Sequence, residues 1–165
     1  MDAGGSPGVN SADAAGKKSQ VELIKEKVNQ FVTRNGRRPR VLVSNIGPSN
    51  HRPALNQVAA LFAYRGFDVD IGPICQAFHQ VALMAIENDV HMVCLLCDPD
   101  QQSQVGSDLI DVLRTHNSSD ILVAFFCGKH TGGNLPNGRF DPVRFRLEAA
   151  DTDIIFILDK LTQKN

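Results

Sequence analysis

Hydrophobic positions in this chain follow two different periods. From residue 40 onward, short uninterrupted apolar runs alternate with stretches where apolar side chains recur every three or four residues. The runs predict strands over 40–46, 67–71, 90–97, 120–126 and 153–158. The amphipathic stretches predict helices over 52–65, 76–88 and 104–116, with a weaker helical pattern near 142–150. Apolar strands without polar alternation, separated by helices, imply a parallel sheet covered on both faces. Five such strands (β) with helical (α) crossovers predict an α/β, flavodoxin-like (Rossmann-like) three-layer fold with strand order 2-1-3-4-5. Ligands of that topology sit between the first and third strands, at their carboxyl ends.

Ahead of the first strand, Val21, Ile24, Val28, Phe31 and Val32 fall at helical spacing with Glu and Lys between them. Ser19 is placed to cap this helix, Glu22 follows three residues on, and Asn35-Gly36 supplies a stop, so a helix is expected over 19–34. If the last strand is 153–158, only Asp159 to Asn165 remain after it, too few for the helix that normally closes such a fold. The extra N-terminal helix is therefore expected to replace the missing last helix and to pack beside helix 52–65. Residues 1–18 hold almost nothing large and apolar and read as a disordered tail. Residues 19–165 read as one domain, with 37–158 as its core.

Composition narrows the function. The 165 residues carry a formal net charge of -1, so no global field recruits nucleic acid or an acidic membrane. Arg37-Arg38-Pro39-Arg40 is a short basic connector without an aromatic platform, read as a solvated approach to the first strand. The four cysteines, Cys75, Cys94, Cys97 and Cys127, lie mostly in apolar runs and read as thiols of a reducing compartment. Cys94 and Cys97 have the spacing of a redox pair, but within a strand their side chains would point to opposite faces. The start of the chain has neither an apolar signal core nor an Arg-rich amphipathic presequence. The expectation is a soluble cytoplasmic protein; a mitochondrial one would need an address of another kind.

The stretch Arg38-Pro39-Arg40-Val41-Leu42-Val43, then Gly47 and His51, then Gly66-Phe67-Asp68-Val69-Asp70-Ile71-Gly72-Pro73 and Asp89-Val90-His91, forms one frame. It resembles the cobalamin-binding domain of methylmalonyl-CoA mutases. The resemblance implies cobalamin as cofactor, with a loop histidine on cobalt from an Asp-x-His-x-x-Gly motif. The same frame here reads Ser49-x-His51-x-x-Ala54. His51 is thus the implied cobalt ligand, while the motif's carboxylate and glycine are replaced. A metal-ligating imidazole usually has a carboxylate on its other nitrogen, and Ser49 carries no charge. Pro53 is acceptable in the first helical turn and pushes Arg52 away from helical geometry.

The resemblance also implies a slot for the cofactor's nucleotide tail, lined by a Ser-x-Leu after the third strand and a Gly-Gly after the fourth. Here those positions carry Leu96 and Asp98, then Phe125-Phe126-Cys127-Gly128. Leu96, Phe125 and Phe126 are expected to fill the slot, a change that typically costs about 1–3 kcal/mol in a packed site. The implied cofactor-binding set is His51, Ser49, Asn50, Cys97 and Gly128, with no catalytic residue. Catalysis in the family needs a separate barrel, which 165 residues do not accommodate. The preferred reading is a degenerate, non-catalytic module acting as a structural or protein-interaction subunit, with a mutase large subunit as candidate partner. The alternative is a working cobalamin-binding small subunit or carrier.

Two other stretches carry candidate chemistry. The segment from Cys127 to Asp141 falls at the ligand edge, and its glycine amides with Lys129, His130 and Arg139 could hold an anion. It lacks a Walker pattern and reads as a mobile surface loop over 128–140. A receiver domain shares the strand order, but Ser44-Asn45-Ile46-Gly47 supplies no acid after the first strand.

Overall fold

The computed structural model describes residues 18–74, 76–126 and 143–163. Its first element, α1 (Gln20–Asn35), is capped as its sequence requires. The Ser19 hydroxyl accepts the Glu22 N–H at 3.2 Å. Gly36, at φ 76°, ends the helix in the left-handed region, where the absence of a side chain removes the steric cost. There follow β1 (Arg40–Asn45), α2 (Arg52–Tyr64), β2 (Asp68–Ile71), α3 (Phe78–Glu87) and β3 (Met92–Leu96). The chain then forms α4 (Gln102–Thr115), β4 (Leu122–Phe126), β5 (Val143–Phe145) and α5 (Ala150–Gln163). The five strands form one parallel sheet in the order β2-β1-β3-β4-β5.

Strand alternation divides the core in two. Val41, Val43, Met92, Cys94, Leu96, Val143 and Phe145 face α1, α2 and α5. Leu42, Val93, Leu95, Cys97, Val123 and Phe125 face α3 and α4. Successive side chains of a strand point to opposite faces, so an unbroken apolar run feeds both cores. Cys94 and Cys97 accordingly lie in different cores, as a strand placement demands.

The end of the chain departs from expectation. Residues 153–158 are helical, within α5, and the fifth strand is Val143–Phe145, inside the stretch expected to be weakly helical. The reason is a spacing shared by both states. Ile154, Ile157, Leu158 and Leu161 are buried at the i, i+3, i+4, i+7 positions of one helical stripe, while Phe156 on the other side is half exposed. Over five residues that stripe reads as a continuous apolar run, and periodicity alone cannot separate the two states. The three-residue β5 is too short for its Val143-x-Phe145 alternation to stand out. Asp153 fixes the β5–α5 turn by accepting the Arg146 N–H at 2.8 Å and the Arg146 guanidinium at 2.9 and 3.1 Å.

The closing helix is therefore present, and α1 does not replace it. α1 lies beside α5 as a third helix on that face, burying Ile24, Val28 and Phe31 in the core that α2 also joins. Lys27 meets Asp159 at 2.6 Å and Gln20 meets Thr152 at 2.8 Å along the α1–α5 seam. Near the end of α2, Gly66 has φ 100°, and a Cβ there would stand 3.2 Å from Val28. That turn therefore needs glycine both for its backbone and for the close approach of α1. None of the described helices is long and apolar enough to cross a membrane.

Candidate functional site

The carboxyl ends of β1 and β3 are neighbours, with Asn45 paired to Leu96. The loop between β1 and α2 starts from a buried asparagine. The Asn45 side chain accepts the His51 N–H at 2.7 Å and donates to the Ser49 carbonyl at 3.1 Å. One side chain thus folds the loop back on itself and sets where His51 leaves the backbone. Gly47, at φ 93°, makes the sharp turn, and a Cβ there would be 2.7 Å from Oε1 of Gln101. The loop is tied to the β2–α3 connection by Gly47 N–H to the Gln76 carbonyl at 3.1 Å and Gln76 N–H to the Asn45 carbonyl at 3.0 Å. α2 begins at Arg52, so Pro53 in its first turn does not keep Arg52 out of the helix, contrary to the local steric expectation. Pro53 there removes an N–H that would lack an intrahelical partner anyway.

Two of the sequence-predicted residues meet on Asp98, which the sequence reading placed at the implied tail slot and not in the binding set. The Ser49 hydroxyl donates to Oδ2 of Asp98 at 2.6 Å. Nε2 of His51 stands 3.1 Å from Oδ1 of the same carboxylate. Both His51 and Asp98 are about one-third exposed at the side chain, at 30% and 32%, so the cluster is open to solvent and to a ligand. The Asp98 carboxyl is held below its ordinary range, first by the Ser49 hydroxyl and then by His51, against partial desolvation. Asp98 begins the connection out of β3 and precedes the short 3-10 turn Pro99–Gln101. A signal for it existed in the chain. In a 2-1-3 sheet, an acid directly after the third strand faces the loop after the first.

The other predicted residues are placed differently. Asn50 is exposed and its side chain accepts the Arg52 N–H at 2.9 Å, which shapes the loop. Cys97 is 5% exposed and packs in the α3–α4 core. Gly128 and the 128–140 loop lie outside the described residues. Leu96 and Phe125 are buried on opposite faces of the sheet, and Phe126 packs partly against the α1–α2–α5 core.

Chemically, the cluster presents an imidazole with one nitrogen on a carboxylate and no other ring hydrogen bond among the described residues. That is the arrangement of a metal-ligating histidine with its outer-shell acid. The histidine end of the site fits a corrinoid. Leu96 and Phe125, the residues expected at the tail end, are buried in the two cores of the sheet. No group of three or more His, Cys, Asp or Glu side chains that could hold a bare metal ion occurs among the described residues.

Comparison with known proteins agrees with the frame. Over 113 residues the chain is 37% identical to mitochondrial methylmalonyl-CoA mutase of Mus musculus, covering 68% of this chain and 15% of the mutase. The chain is homologous to the cobalamin-binding region of methylmalonyl-CoA mutases. It is 32% identical over 144 residues to the probable methylmalonyl-CoA mutase large subunit of Mycobacterium tuberculosis, covering 87% of this chain and 18% of that subunit. The chain thus spans less than a fifth of the length of these mutases. A cobalamin-binding protein from Desulfitobacterium hafniense shares the fold, with a TM-score of 0.57 at 14% identity over 93% of this chain and 76% of that one. No protein-family model matches the chain.

Proposed function

We propose that this chain is a cobalamin-binding module of the methylmalonyl-CoA mutase type, with His51 as cobalt ligand, serving a partner that holds the substrate. The observation that carries the reading is the His51–Asp98 contact at 3.1 Å. The motif's own carboxylate position is held by Ser49. Asp98 supplies a carboxylate at the same imidazole from the next strand. Bound cobalamin would supply the cobalt–carbon chemistry. His51 would hold it, Asn45 would hold the loop, and the partner would provide the substrate pocket.

A second reading has its own support. The packed Leu96 and Phe125 favour a module that kept the fold and works as a structural or interaction subunit. Titration of the purified protein with hydroxocobalamin and adenosylcobalamin, followed by visible absorbance, decides between them. The first reading expects a spectral change at micromolar concentration that His51→Ala abolishes. No change in the wild type, or one indifferent to His51, sinks it in favour of the second.

A further inference from the structure

We propose that the groove between α1 and the end of α2 receives an acidic amphipathic helix of the partner that this chain serves. The proposal rests on the reading above only in assuming such a partner, and it involves neither His51 nor a cofactor. The groove holds about 460 Å³ and runs along α1 past Val21, Lys25, Asn29 and Val32. Those residues follow one another at about one helical turn, so they form a single row on the helix. Ala63, Tyr64 and Gly66 make the facing wall. Gly66 leaves the space open, since a Cβ there would stand 3.2 Å from Val28 on the floor. Val21 is 46% exposed and Tyr64 82%, so two of the four large apolar side chains left exposed among the described residues border this one groove. Three cations line it, and no acid does among the described residues. Arg65 is engaged by Asp151 at 2.7 and 3.2 Å. Arg38 lies 3.9 Å from Asp68 with both side chains more than half exposed, and Lys25 is exposed with no ion pair among the described residues. Lys25 and Arg38 are thus the charges open to a partner, on a chain whose net charge is -1. The row from Val21 to Val32 rises about 16 Å, the length of roughly three helical turns. That length suits a helix laid alongside, with apolar side chains on one face reaching Val21, Val32 and Tyr64. Carboxylates beside that stripe would meet Lys25 and Arg38, whereas a basic helix would be repelled. Tyr64 supplies the rigid, amphipathic anchor around which binding energy concentrates.

The test uses the full chain and a short synthetic helical peptide, fluorescein-labelled, with leucine on one face and glutamate on the other. Two controls accompany it: the same peptide with lysine in place of glutamate, and a scramble of the same composition. In anisotropy titrations at low salt the acidic peptide should bind saturably and the controls should not. Added salt should weaken the binding. Amide spectra of the 15N-labelled chain should shift along α1 and at 63–66, and stay unchanged around His51. Lys25→Glu and Tyr64→Ala change exposed side chains and should leave the melting temperature unaltered. Each should weaken peptide binding by roughly tenfold. No binding of the acidic peptide overturns the proposal, as does equal binding of the scramble or indifference to both substitutions. Sedimentation showing a dimer that Tyr64→Ala dissolves makes a second copy the occupant, and overturns it. Phosphatidylserine vesicles that retain the wild type but release Lys25→Glu make an anionic lipid surface the occupant, and overturn it too. Peptide binding by a chain that takes up no hydroxocobalamin supports the groove and defeats the cofactor reading. Hydroxocobalamin uptake without peptide binding does the reverse.

Discussion

His51 and His91 stand at opposite ends of the same sheet and have opposite surroundings. His51 is at the carboxyl end of β1, partly exposed, with a carboxylate on Nε2. His91 precedes β3 at the amino end, where its Nδ1 accepts the Arg40 N–H at 2.9 Å. Its ring packs edge-on against Phe31, with centroids 4.8 Å apart. Burial holds the His91 imidazole below its ordinary pKa of 6.5, and Arg37 pushes the same way against Asp89 and Asp120. His91 thus accepts a backbone N–H and fills a seam, so protonation would break what it holds. The acid at His51 instead fixes a ring that stays accessible. Neighbours, not residue type, separate the structural histidine from the candidate ligand.

The largest expected effect breaks the structural end. Deleting residues 1–35 removes α1 and strips Ile24, Val28 and Phe31 from the core. The loss should be on the order of 5 kcal/mol or more, comparable with the whole stability of many domains. Thermal unfolding should then start far below the wild-type temperature, and an unchanged melting curve would show that α1 does not belong to the core. Phe31→Ala tests the same seam more gently. It should cost roughly 3–5 kcal/mol and destabilise the His91 contact, yet leave the ring spectrum of His51 unaltered.

Next comes acid. The folded pKa of His91 lies below its unfolded value, so the unfolded chain takes up the proton first as pH falls. The stability tied to His91 is therefore complete above about pH 6.5 and is lost as pH drops toward the folded value. His91→Gln keeps a carbonyl acceptor and cannot titrate. Denaturant titrations of the two proteins should diverge in slope with pH below 6.5, with the wild type the steeper. Parallel slopes would mean that His91 is not buried as a neutral acceptor. The smallest stability effect is expected at the other histidine. His51→Ala removes a partly exposed side chain and should stay within about 0.5 kcal/mol in chemical denaturation, while abolishing any corrinoid spectrum. A large destabilisation there would make His51 a structural residue after all and erase the contrast.

What local pattern can encode was legible in the chain. Four strands and the first four helices lie within about two residues of where hydrophobic period and capping residues put them. The strand order followed from those elements, while the mutase frame rested on a resemblance carried by individual residues such as Gly47, His51 and Gly66-Phe67-Asp68. Tertiary structure decided the remainder, for two physical reasons. At the end of the chain, Ile154 to Leu158 satisfy a helix stripe and a buried strand equally well, and only packing against α1 and the sheet selects the helix. At the site, the partner of His51 is a matter of sheet pairing and not of spacing. The motif position holds Ser49, whose hydroxyl carries no charge. The acid that meets the imidazole arrives from the end of β3 because parallel strands bring chain-distant residues to one edge.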